Sequence, residues 1–521
     1  MSSAISSRGT DGKSRRPIDV AQAAVVCLGL IFSLCFAFIT PPFWGNDNMS
    51  HYSRAYQIAQ GDLFPQLIDY TEKPDVPAYG GELPKTLWKV FELSNAQRSQ
   101  AAESGSGSAH NPAFHRTAEL ETALNTHLHA SSDTETVWFN NTAAYSPVPY
   151  LIPAAGIAVA DALNVTAEQA LLIPTLLNAL FFIFCAWLAV WILKDSKFKW
   201  LVVAFTLFPP ALAQAVSSVT ADTCTNALCM LLFALIVKAL LLKQQLTRLD
   251  TVVFAATAVL LPLCKPTYGF LTLVLLLTPN ARFAFRRLTN TCVKWASVGL
   301  GFALWVAWTL VSASTSLGMP RFRSDYWEKS FGTSDQLHAL FANPLNMFRL
   351  VANTFVDQDD NINHLQLSAL SLASSPTGIL LFSAALVLVA GACERVRFAK
   401  KSHMWLLILA LLAAFGSSLA SIYCTFNPVG NSSIEGVYAR YFFPITPFVV
   451  LLILATTSLR FATHRAHSGL TELEPEPNLE VEPGLADVPM RSRVLTVAVP
   501  ILLAAALLAT TLKYYGQIWG L

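Results

Sequence analysis

Three polar side chains follow the first long apolar segment of the chain at helical spacing. Asp47, His51 and Arg54 are separated by four and then three residues, so a helix beginning near Asp47 would carry all three on one face. A carboxylate, an imidazole and a guanidinium would then converge in one polar site. The structural alternative is that Asp47 caps the N-terminus of the helix and that the other two side chains face solvent.

A second acid occurs between two later apolar segments. Asp222 follows a run of serine and threonine residues, and Asn226 lies one helical turn further on. At a membrane surface, this carboxylate with its hydroxyl and amide neighbours could bind a metal ion or a sugar hydroxyl. A divalent cation could therefore serve as cofactor, with Asp47 and Asp222 as the acids that hold it. Helix capping by Asp222 is again the structural alternative.

Two cations interrupt short turns that are predicted to face outside and that otherwise carry almost no lysine or arginine. Lys265 stands at a break between two apolar runs, and Arg440 precedes a further apolar segment. Positive charges on the outer side oppose the usual orientation bias of membrane proteins and need a partner. A phosphate would supply one. The alternatives are snorkelling toward lipid headgroups or pairing with Glu435.

The composition shows what kind of protein must position these groups. Of the 521 residues, 54% are hydrophobic and 13% are charged, about half the charged share of an average soluble domain. Several windows reach the roughly 20 apolar residues that a transmembrane helix needs. The sequence therefore predicts an all-α integral membrane protein whose first span is an uncleaved anchor. The net charge of +2 and the lack of a basic stripe argue against a nucleic-acid partner.

The basic clusters predict the orientation of the spans, because lysine and arginine near span ends favour the cytoplasm. All clusters fall on the cytoplasmic side only if one apolar segment does not cross the membrane. The best candidate is 146–163, whose three prolines disfavour the start of a buried helix. We expect it to be an interfacial helix on the outer side.

The resulting topology has about 11 transmembrane helices, a cytoplasmic start and an external end. The predicted spans are 19–40, 169–193, 200–217, 222–242, 250–263, 266–278, 290–312, 377–395, 404–424, 441–458 and 494–513. The domain prediction comprises a cytoplasmic N-terminal tail (1–18), a transmembrane domain (19–458) that includes the long external loop 41–168, a disordered Glu/Pro-rich cytoplasmic loop (459–493), and a last span with an external C-terminus (494–521).

Motifs along most of the chain match one family pattern. They are Pro41-Pro42-Phe43 followed by Asp47, His51 and Arg54-Ala55; Ser218-x-x-Ala221-Asp222-x-x-x-Asn226; Lys265-Pro266-x-Tyr268; and Gly436-Val437-x-x-Arg440-Tyr441-x-x-Pro444. On these motifs the chain resembles an uncharacterised bacterial family of predicted multi-span membrane proteins related to the GT-C superfamily of glycosyltransferases. Three positions depart from the family pattern: Asn48 stands where a second acid is usual, Thr175 stands near a usual arginine, and Tyr438-Ala439 replaces a Gln-Gly pair.

The resemblance implies a GT-C-like fold and a polyprenyl-phosphate-linked sugar as donor. It implies that Asp47 acts as general base on an acceptor hydroxyl, with inversion at the anomeric carbon. Lys265 and Arg440 would hold the lipid phosphate, and His51 and Arg54 would orient Asp47 or the phosphate. The matched positions Asp222, Asn226, Tyr268 and Tyr441 complete the predicted substrate-binding set.

The sequence thus predicts a plasma-membrane glycosyltransferase with its active site on the external side. Its partners would be the lipid bilayer, the lipid-linked sugar, and a cell-envelope glycan, lipid or protein acceptor. Two alternatives remain. A transporter or flippase of lipid-linked saccharide could use the same charges along a route, and a non-catalytic membrane assembly partner would fit the missing acid at Asn48.

Overall fold

The computed structural model of the protein describes residues 19–45, 47–69, 77–103, 114–285, 287–315, 331–342, 344–356, 375–457 and 494–520. The predicted N-terminal tail (1–18) and the predicted disordered loop (459–493) lie outside these ranges. No side chain is described for residues 99–103, 287, 344, 356 and 494.

The first long helix leads directly into a compact polar region. In chain order the elements are α1 (Val20–Ile39), α2 (Asn48–Ala59), β1 (Gln66–Ile68), β2 (Ala78–Pro84), α3 (Lys85–Glu103), α4 (Ala118–Asn125), β3 (Thr134–Trp138), α5 (Asn140–Ala143), and a 3-10 turn (Val148–Tyr150) that continues as α6 (Leu151–Ala162). Most of loop 41–168 is therefore ordered secondary structure that surrounds the start of α2.

The rest of the described chain is helical. Its helices are α7 (Ala167–Ile192), α8 (Lys199–Thr206), α9 (Pro209–Val216), α10 (Ala221–Ile236), α11 (Arg248–Cys264), α12 (Pro266–Gly269), α13 (Arg287–Val311), α14 (Thr333–Ala342), α15 (Pro344–Val356), α16 (Pro376–Ala392), α17 (Lys401–Phe426), α18 (Thr446–Thr456) and α19 (Val499–Trp519). A π-helical turn (Val237–Leu241) extends α10, and a 3-10 helix (Phe270–Leu277) extends α12.

Six helices in the described ranges are long and apolar enough to cross a membrane. The number rises to seven if α8 and α9, which are bent by 64° at their junction, form one broken span. Other predicted spans correspond to shorter apolar helices, such as Pro376–Ala392 and Thr446–Thr456. The multi-span class is confirmed, whereas the count of eleven remains a prediction. Val148–Ala162 is also one of these shorter apolar helices, and the interfacial placement of 146–163 remains a prediction.

A small β-sheet corrects the expectation of a purely helical protein. Strand β2 pairs antiparallel with both β1 and β3, and Gly80 lies opposite Gln66 on one side and Trp138 on the other. A Cβ atom at Gly80 would collide with the backbone carbonyl of Val137, so only glycine permits this pairing. The sheet packs on α2 and helps to fix the helix that begins next to Asp47.

The core of the membrane domain is built around α10. Every residue of α10 is buried, and the helix packs against α7 and α11, while α7 also packs against α1. Lys238, in the π-helical turn that extends α10, donates to the fully buried carboxylate of Asp250 at 2.8 Å. This ion pair neutralises a charge that would otherwise be very unfavourable in the core.

A close backbone approach brings the first loop to the start of α10. A Cβ atom at Gly45 would overlap the side chain of Ser218, so the turn before α2 can lie against the turn before α10 only because residue 45 is glycine. Two residues after Gly45, the chain reaches Asp47. Four residues after Ser218, it reaches Asp222. The contact therefore places the two acids of the sequence analysis in the same region.

Candidate functional site

Asp47 stands at the N-cap position of α2, but its side chain does not cap the helix. Its backbone is in the left-handed region, with φ of 51° and ψ of 22°, and its carboxylate accepts no hydrogen bond from the first turn. Aspartate tolerates this conformation better than most residues. Instead, Oδ2 accepts a hydrogen bond of 3.0 Å from Nη2 of Arg440. The capping alternative is therefore wrong for the Asp47 side chain.

Arg440 lies in a 3-10 turn, Ala439–Tyr441, before α18. Its side chain is only 6% exposed. Besides Asp47, Nη2 donates to the Tyr441 hydroxyl at 3.2 Å, and the rings of Tyr438 and Tyr441 lie 5.1 Å from the guanidinium carbon. Atoms Nε and Nη1 have no hydrogen-bond partner among the described residues. Two buried N–H groups of a cation thus lack an acceptor, which is a costly arrangement.

The alternative partner for Arg440 is engaged elsewhere. The carboxylate of Glu435 accepts a hydrogen bond from Asn431 at 3.1 Å, and its backbone N–H donates to Asn427 at 2.7 Å. The structure therefore pairs Arg440 with Asp47, across 393 residues of sequence.

Lys265 and Asp222 form the second acid–cation pair. The Lys265 ammonium donates to Oδ1 of Asp222, and Nε2 of Gln214 donates to Oδ2 at 2.9 Å. Asp222 is not the N-cap of α10, because Thr220 holds that position and accepts from the Asp222 backbone N–H. The capping alternative is therefore wrong for Asp222 as well. Both side chains of this pair are about nine-tenths buried.

Tyr441 connects the two pairs. The Lys265 ammonium lies 5.3 Å from the centroid of its ring, while its hydroxyl accepts from Arg440. Cations are attracted to the face of an aromatic ring, so one side chain contacts both positive charges. The hydroxyl of Tyr268 in turn donates to the backbone carbonyl of Tyr441 at 2.7 Å. The segment that carries Arg440 is thereby tied to the segment that carries Lys265.

The electrostatics of the site follow from these contacts. Burial would raise the pKa of Asp47, but the charge and hydrogen bond of Arg440 hold that pKa below its usual value. Burial would lower the pKa of Lys265, but Asp222 outweighs this effect and raises it. The pKa of Arg440 is raised well above its usual value despite burial, because Tyr441 and Asp47 favour the charged form. All of these charges are therefore present at neutral pH.

His51 is buried beside the ion pairs. Its Nδ1 atom shares a hydrogen bond of 2.7 Å with the Tyr150 hydroxyl, and its ring stacks on Tyr145. Burial lowers the pKa of His51 to about 4, although Asp47 and Asp222 partly oppose that effect. The imidazole is therefore neutral at physiological pH and adds no positive charge to the site.

Arg54, the third member of the predicted α2 face, points to different partners. Its guanidinium donates to the Gln57 side chain and to the backbone carbonyls of Leu63, at 2.8 Å, and Tyr145, at 3.4 Å. It is fully buried. These contacts fasten α2 to the loops on either side of it, so the structure does not bring Arg54 to the carboxylate of Asp47.

Asn226 lies one turn below Asp222 and lines an apolar cavity of about 330 Å³. Its Oδ1 atom has no hydrogen-bond partner among the described residues. The cavity lies beside the Arg440 turn, since Ala439 also lines it. Half of the twelve lining residues are aromatic, namely Phe182, Phe205, Phe208, Phe382, Phe442 and Phe443.

The donor set does not fit a divalent cation. Each of the two acids is already neutralised by a basic side chain, and a metal ion would have to displace both cations. Within the ranges that the structure describes, no group of three or more His, Cys, Asp or Glu residues is arranged to hold a metal ion. Asn48, which replaces the second family acid, supplies no charge that could compensate. The arrangement is instead suited to an anion that would face Arg440 and Lys265.

Three residues of the site were missed in the sequence analysis. Gln214 is the one polar residue of α9, and the Pro209-Pro210 pair at the start of that helix signals the break that turns it toward Asp222. Tyr438 occupies a position where the chain departs from the family pattern. Tyr150 belongs to the motif Tyr145-Ser146-Pro147-x-x-Tyr150. Nothing in a single sequence indicates that Tyr150 would hydrogen-bond to His51.

A family model described as "Predicted membrane protein (DUF2142)" matches residues 30–449. This range contains every predicted site residue from Asp47 to Tyr441. No curated protein and no solved structure matches the chain.

Proposed function

The chain belongs to the DUF2142 family of predicted membrane proteins, and on that premise we propose that it is a membrane glycosyltransferase. It takes a sugar from a polyprenyl-phosphate donor and transfers it, with inversion, to a hydroxyl of a cell-envelope glycan, lipid or protein. The observation that carries the proposal is the joining of two acid–cation pairs, Asp47–Arg440 and Asp222–Lys265, through Tyr441.

The cationic half of the site suits the leaving group. When the bond between the anomeric carbon and the phosphate oxygen breaks, the electron pair stays on that oxygen, and the lipid phosphate gains negative charge. Arg440 and Lys265 are held by their carboxylate partners where they can face such a charge. Preorganised cations in a buried site stabilise developing charge strongly because they need no reorganisation.

The acidic half suits the acceptor. Of the two carboxylates, Asp47 is the accessible one, with 46% of its side-chain surface exposed, whereas Asp222 is 8% exposed. Asp47 takes the proton of the acceptor hydroxyl as that oxygen attacks the anomeric carbon from the face opposite the phosphate. Asp222 keeps Lys265 charged and in place, with Gln214 holding the second oxygen of Asp222.

The neighbourhood of the Arg440 turn suits a lipid donor. The phenylalanine-lined cavity begins next to Ala439, and aromatic and aliphatic walls suit an apolar chain. The first isoprenoid units of the donor would enter this cavity while its phosphate faces Arg440 and Lys265. Asn226, at the cavity wall, would orient the junction between chain and phosphate. The predicted topology puts this reaction at the external face of the plasma membrane.

One observation favours a transporter as the second candidate. The α8–α9 pair is a broken apolar helix whose second half supplies Gln214 to Asp222, and transporters build substrate sites from such discontinuous helices. A transporter would move lipid-linked saccharide without changing its covalent structure. The two functions therefore differ in whether a new glycosidic bond is formed.

Replacing Asp47 with asparagine tests the proposal, because Asn keeps the shape of the side chain but cannot accept the proton. In cells that carry D47N as their only copy, mass analysis of the envelope glycans should show the loss of one sugar residue. D161N is the matched control, since Asp161 also accepts hydrogen bonds within the predicted external region, from Tyr56 and Gln60, and it should leave the glycans unchanged. Normal glycans with D47N present in the membrane would refute the assignment.

A further inference from the structure

We propose that the Asp47–Arg440 ion pair is an autoinhibitory contact that the phosphate of the donor opens. The phosphate replaces the Asp47 carboxylate on Arg440, and the displaced carboxylate becomes free to act on the acceptor. This inference rests on the proposed function and adds a regulation of the same site: the base becomes available only when the donor is bound.

The charge balance of the site requires an exchange of this kind. Asp47, Asp222, Lys265 and Arg440 carry two negative and two positive charges, and each cation already has one carboxylate partner. A phosphodiester brings one more negative charge. An uncompensated charge in a buried site is strongly unfavourable. The entering phosphate leaves three anions for two cations, so one of the two carboxylates loses its cation and has to be balanced by water instead.

The contacts of the two acids decide which one leaves. Asp222 is 8% exposed and is held by both Lys265 and Gln214 at the start of a fully buried helix. Asp47 is 46% exposed and contacts Arg440 through one hydrogen bond of 3.0 Å. Leaving Arg440 costs Asp47 little, because water can solvate its carboxylate. Asp47 is therefore the acid that the phosphate displaces.

The exchange also explains how the proton affinity of Asp47 rises enough for it to act as a general base. While Asp47 is paired, Arg440 holds its pKa below the usual value, and a carboxylate with a lowered pKa accepts protons poorly. After the exchange, Arg440 is neutralised by the phosphate, and the displaced carboxylate lies beside a negative charge. Together with Asp222, that charge raises the proton affinity of Asp47. Donor binding thus prepares the base for the acceptor.

The two buried N–H groups of Arg440 that have no acceptor agree with an exchange at the position of Asp47. Nε and Nη1 have no acceptor among the described residues, and the rings of Tyr438 and Tyr441 lie against the guanidinium. An anion therefore reaches Arg440 most easily along the exposed side, which Asp47 occupies. In the structure, Asp47 fills the position on Arg440 that a ligand oxygen would take.

The test is the affinity of the full-length protein in lipid nanodiscs for farnesyl phosphate, measured by titration. D47N removes the competing charge while keeping the side-chain shape. We expect D47N to bind farnesyl phosphate roughly fivefold more tightly than the unaltered protein, as the loss of a half-exposed competing ion pair predicts. Equal or weaker binding by D47N, or no binding by either protein, would overturn the proposal.

Two further variants make the result specific. The double variant D47N/R440Q should lose the gain, because the gain depends on Arg440, and D161N should bind like the unaltered protein. A gain that persists without Arg440 would also contradict the exchange. Thermal unfolding of each variant checks that it is folded.

The binding and transfer measurements distinguish the two proposals. If D47N binds more tightly but the unaltered protein transfers no sugar, the exchange stands and the proposed function fails. If sugar is transferred but D47N binds no more tightly, only the exchange fails.

Discussion

The hydroxyl of Tyr268 donates a hydrogen bond of 2.7 Å to the backbone carbonyl of Tyr441. Tyr268 follows Lys265 by three residues, and Tyr441 follows Arg440 directly. One neutral hydrogen bond therefore sets the relative position of the two segments that carry the cations of the site. In the proposed function the donor phosphate faces both cations, so the strength of its binding should depend on this bond.

Tyr268→Phe should weaken donor binding without removing any charge. Loss of the hydroxyl leaves a carbonyl without its donor, which costs about 1 to 3 kcal/mol. We expect the KM for the lipid donor to rise about three- to tenfold, with a smaller change in kcat. Steady-state kinetics with varied donor concentration measure both quantities.

The matched control for that variant is Tyr423→Phe. The Tyr423 hydroxyl also donates to a backbone carbonyl, that of Asn431, at 2.9 Å, so the change is chemically the same at a position that does not contact Lys265 or Arg440. We expect a comparable loss of stability with an unchanged KM. The same rise in KM for both variants would show that the effect is general destabilisation.

Replacing only one residue of the Asp222–Lys265 pair should destabilise the protein much more than replacing both. Lys265→Met leaves a buried carboxylate without its cation, and breaking a buried pair in this way costs about 3 to 5 kcal/mol. The double variant D222N/K265M removes both charges and should recover much of that loss. Thermal unfolding in detergent compares the variants, and the double variant should stay inactive because Lys265 no longer faces the phosphate. Full stability of Lys265→Met alone would contradict the geometry of this pair.

Chelation should leave sugar transfer unchanged. Both acids that could hold a divalent cation are paired with basic side chains, so the site has no free carboxylate pair for a metal ion. Transfer assays in excess EDTA should give the same rate as assays with added Mg²⁺ or Mn²⁺. An activity that disappears on chelation and returns with metal would show that the ion pairs rearrange around a cation.

His51 should make the protein less stable as the pH falls. Its pKa is about 4 in the folded protein, compared with about 6.5 in an unfolded chain. Between these values the unfolded state binds more protons, so the stability contributed by the neutral imidazole is full above about pH 6.5 and is lost progressively toward pH 4.

The unfolding temperature in detergent, measured across that pH range, tests the assignment to His51. His51→Gln should flatten the dependence, whereas His129→Gln, which replaces an exposed histidine, should keep it. An identical slope in the unaltered protein and in His51→Gln would mean that other groups cause the loss.

Much of the candidate site could be predicted because its residues stand out from an apolar background. Four charged residues stand at the ends of apolar segments, where charges are unusual unless they have a function: Asp47, Asp222, Lys265 and Arg440. The structure brings all four together. Their pairing could not be predicted, because it depends on how segments that are far apart in sequence pack. Arg54 was expected to act with Asp47, yet its guanidinium donates to the backbone carbonyls of Leu63 and Tyr145, which lie in loops outside α2.

The fold was predictable in class but not in detail. Hydropathy identifies apolar segments, but it cannot show that α8 and α9 bend by 64° or that Phe270–Leu277 continues as a 3-10 helix. The sheet was missed because β1 has only three residues and β2 contains two glycines and a proline. These strands depend on pairing with Thr134–Trp138 rather than on their own propensity.

The 393-residue separation between Asp47 and Arg440 has a consequence for biosynthesis. A growing chain exposes Asp47 as soon as the first loop leaves the ribosome and the membrane insertion machinery, but its partner is synthesised only after most of the apolar segments have entered the lipid. Until then the carboxylate is unpaired and the site is incomplete. A chain that stops before Arg440 would thus lack one of the two cations of the site, so the proposed activity would report completed insertion of nearly the whole family-matched region.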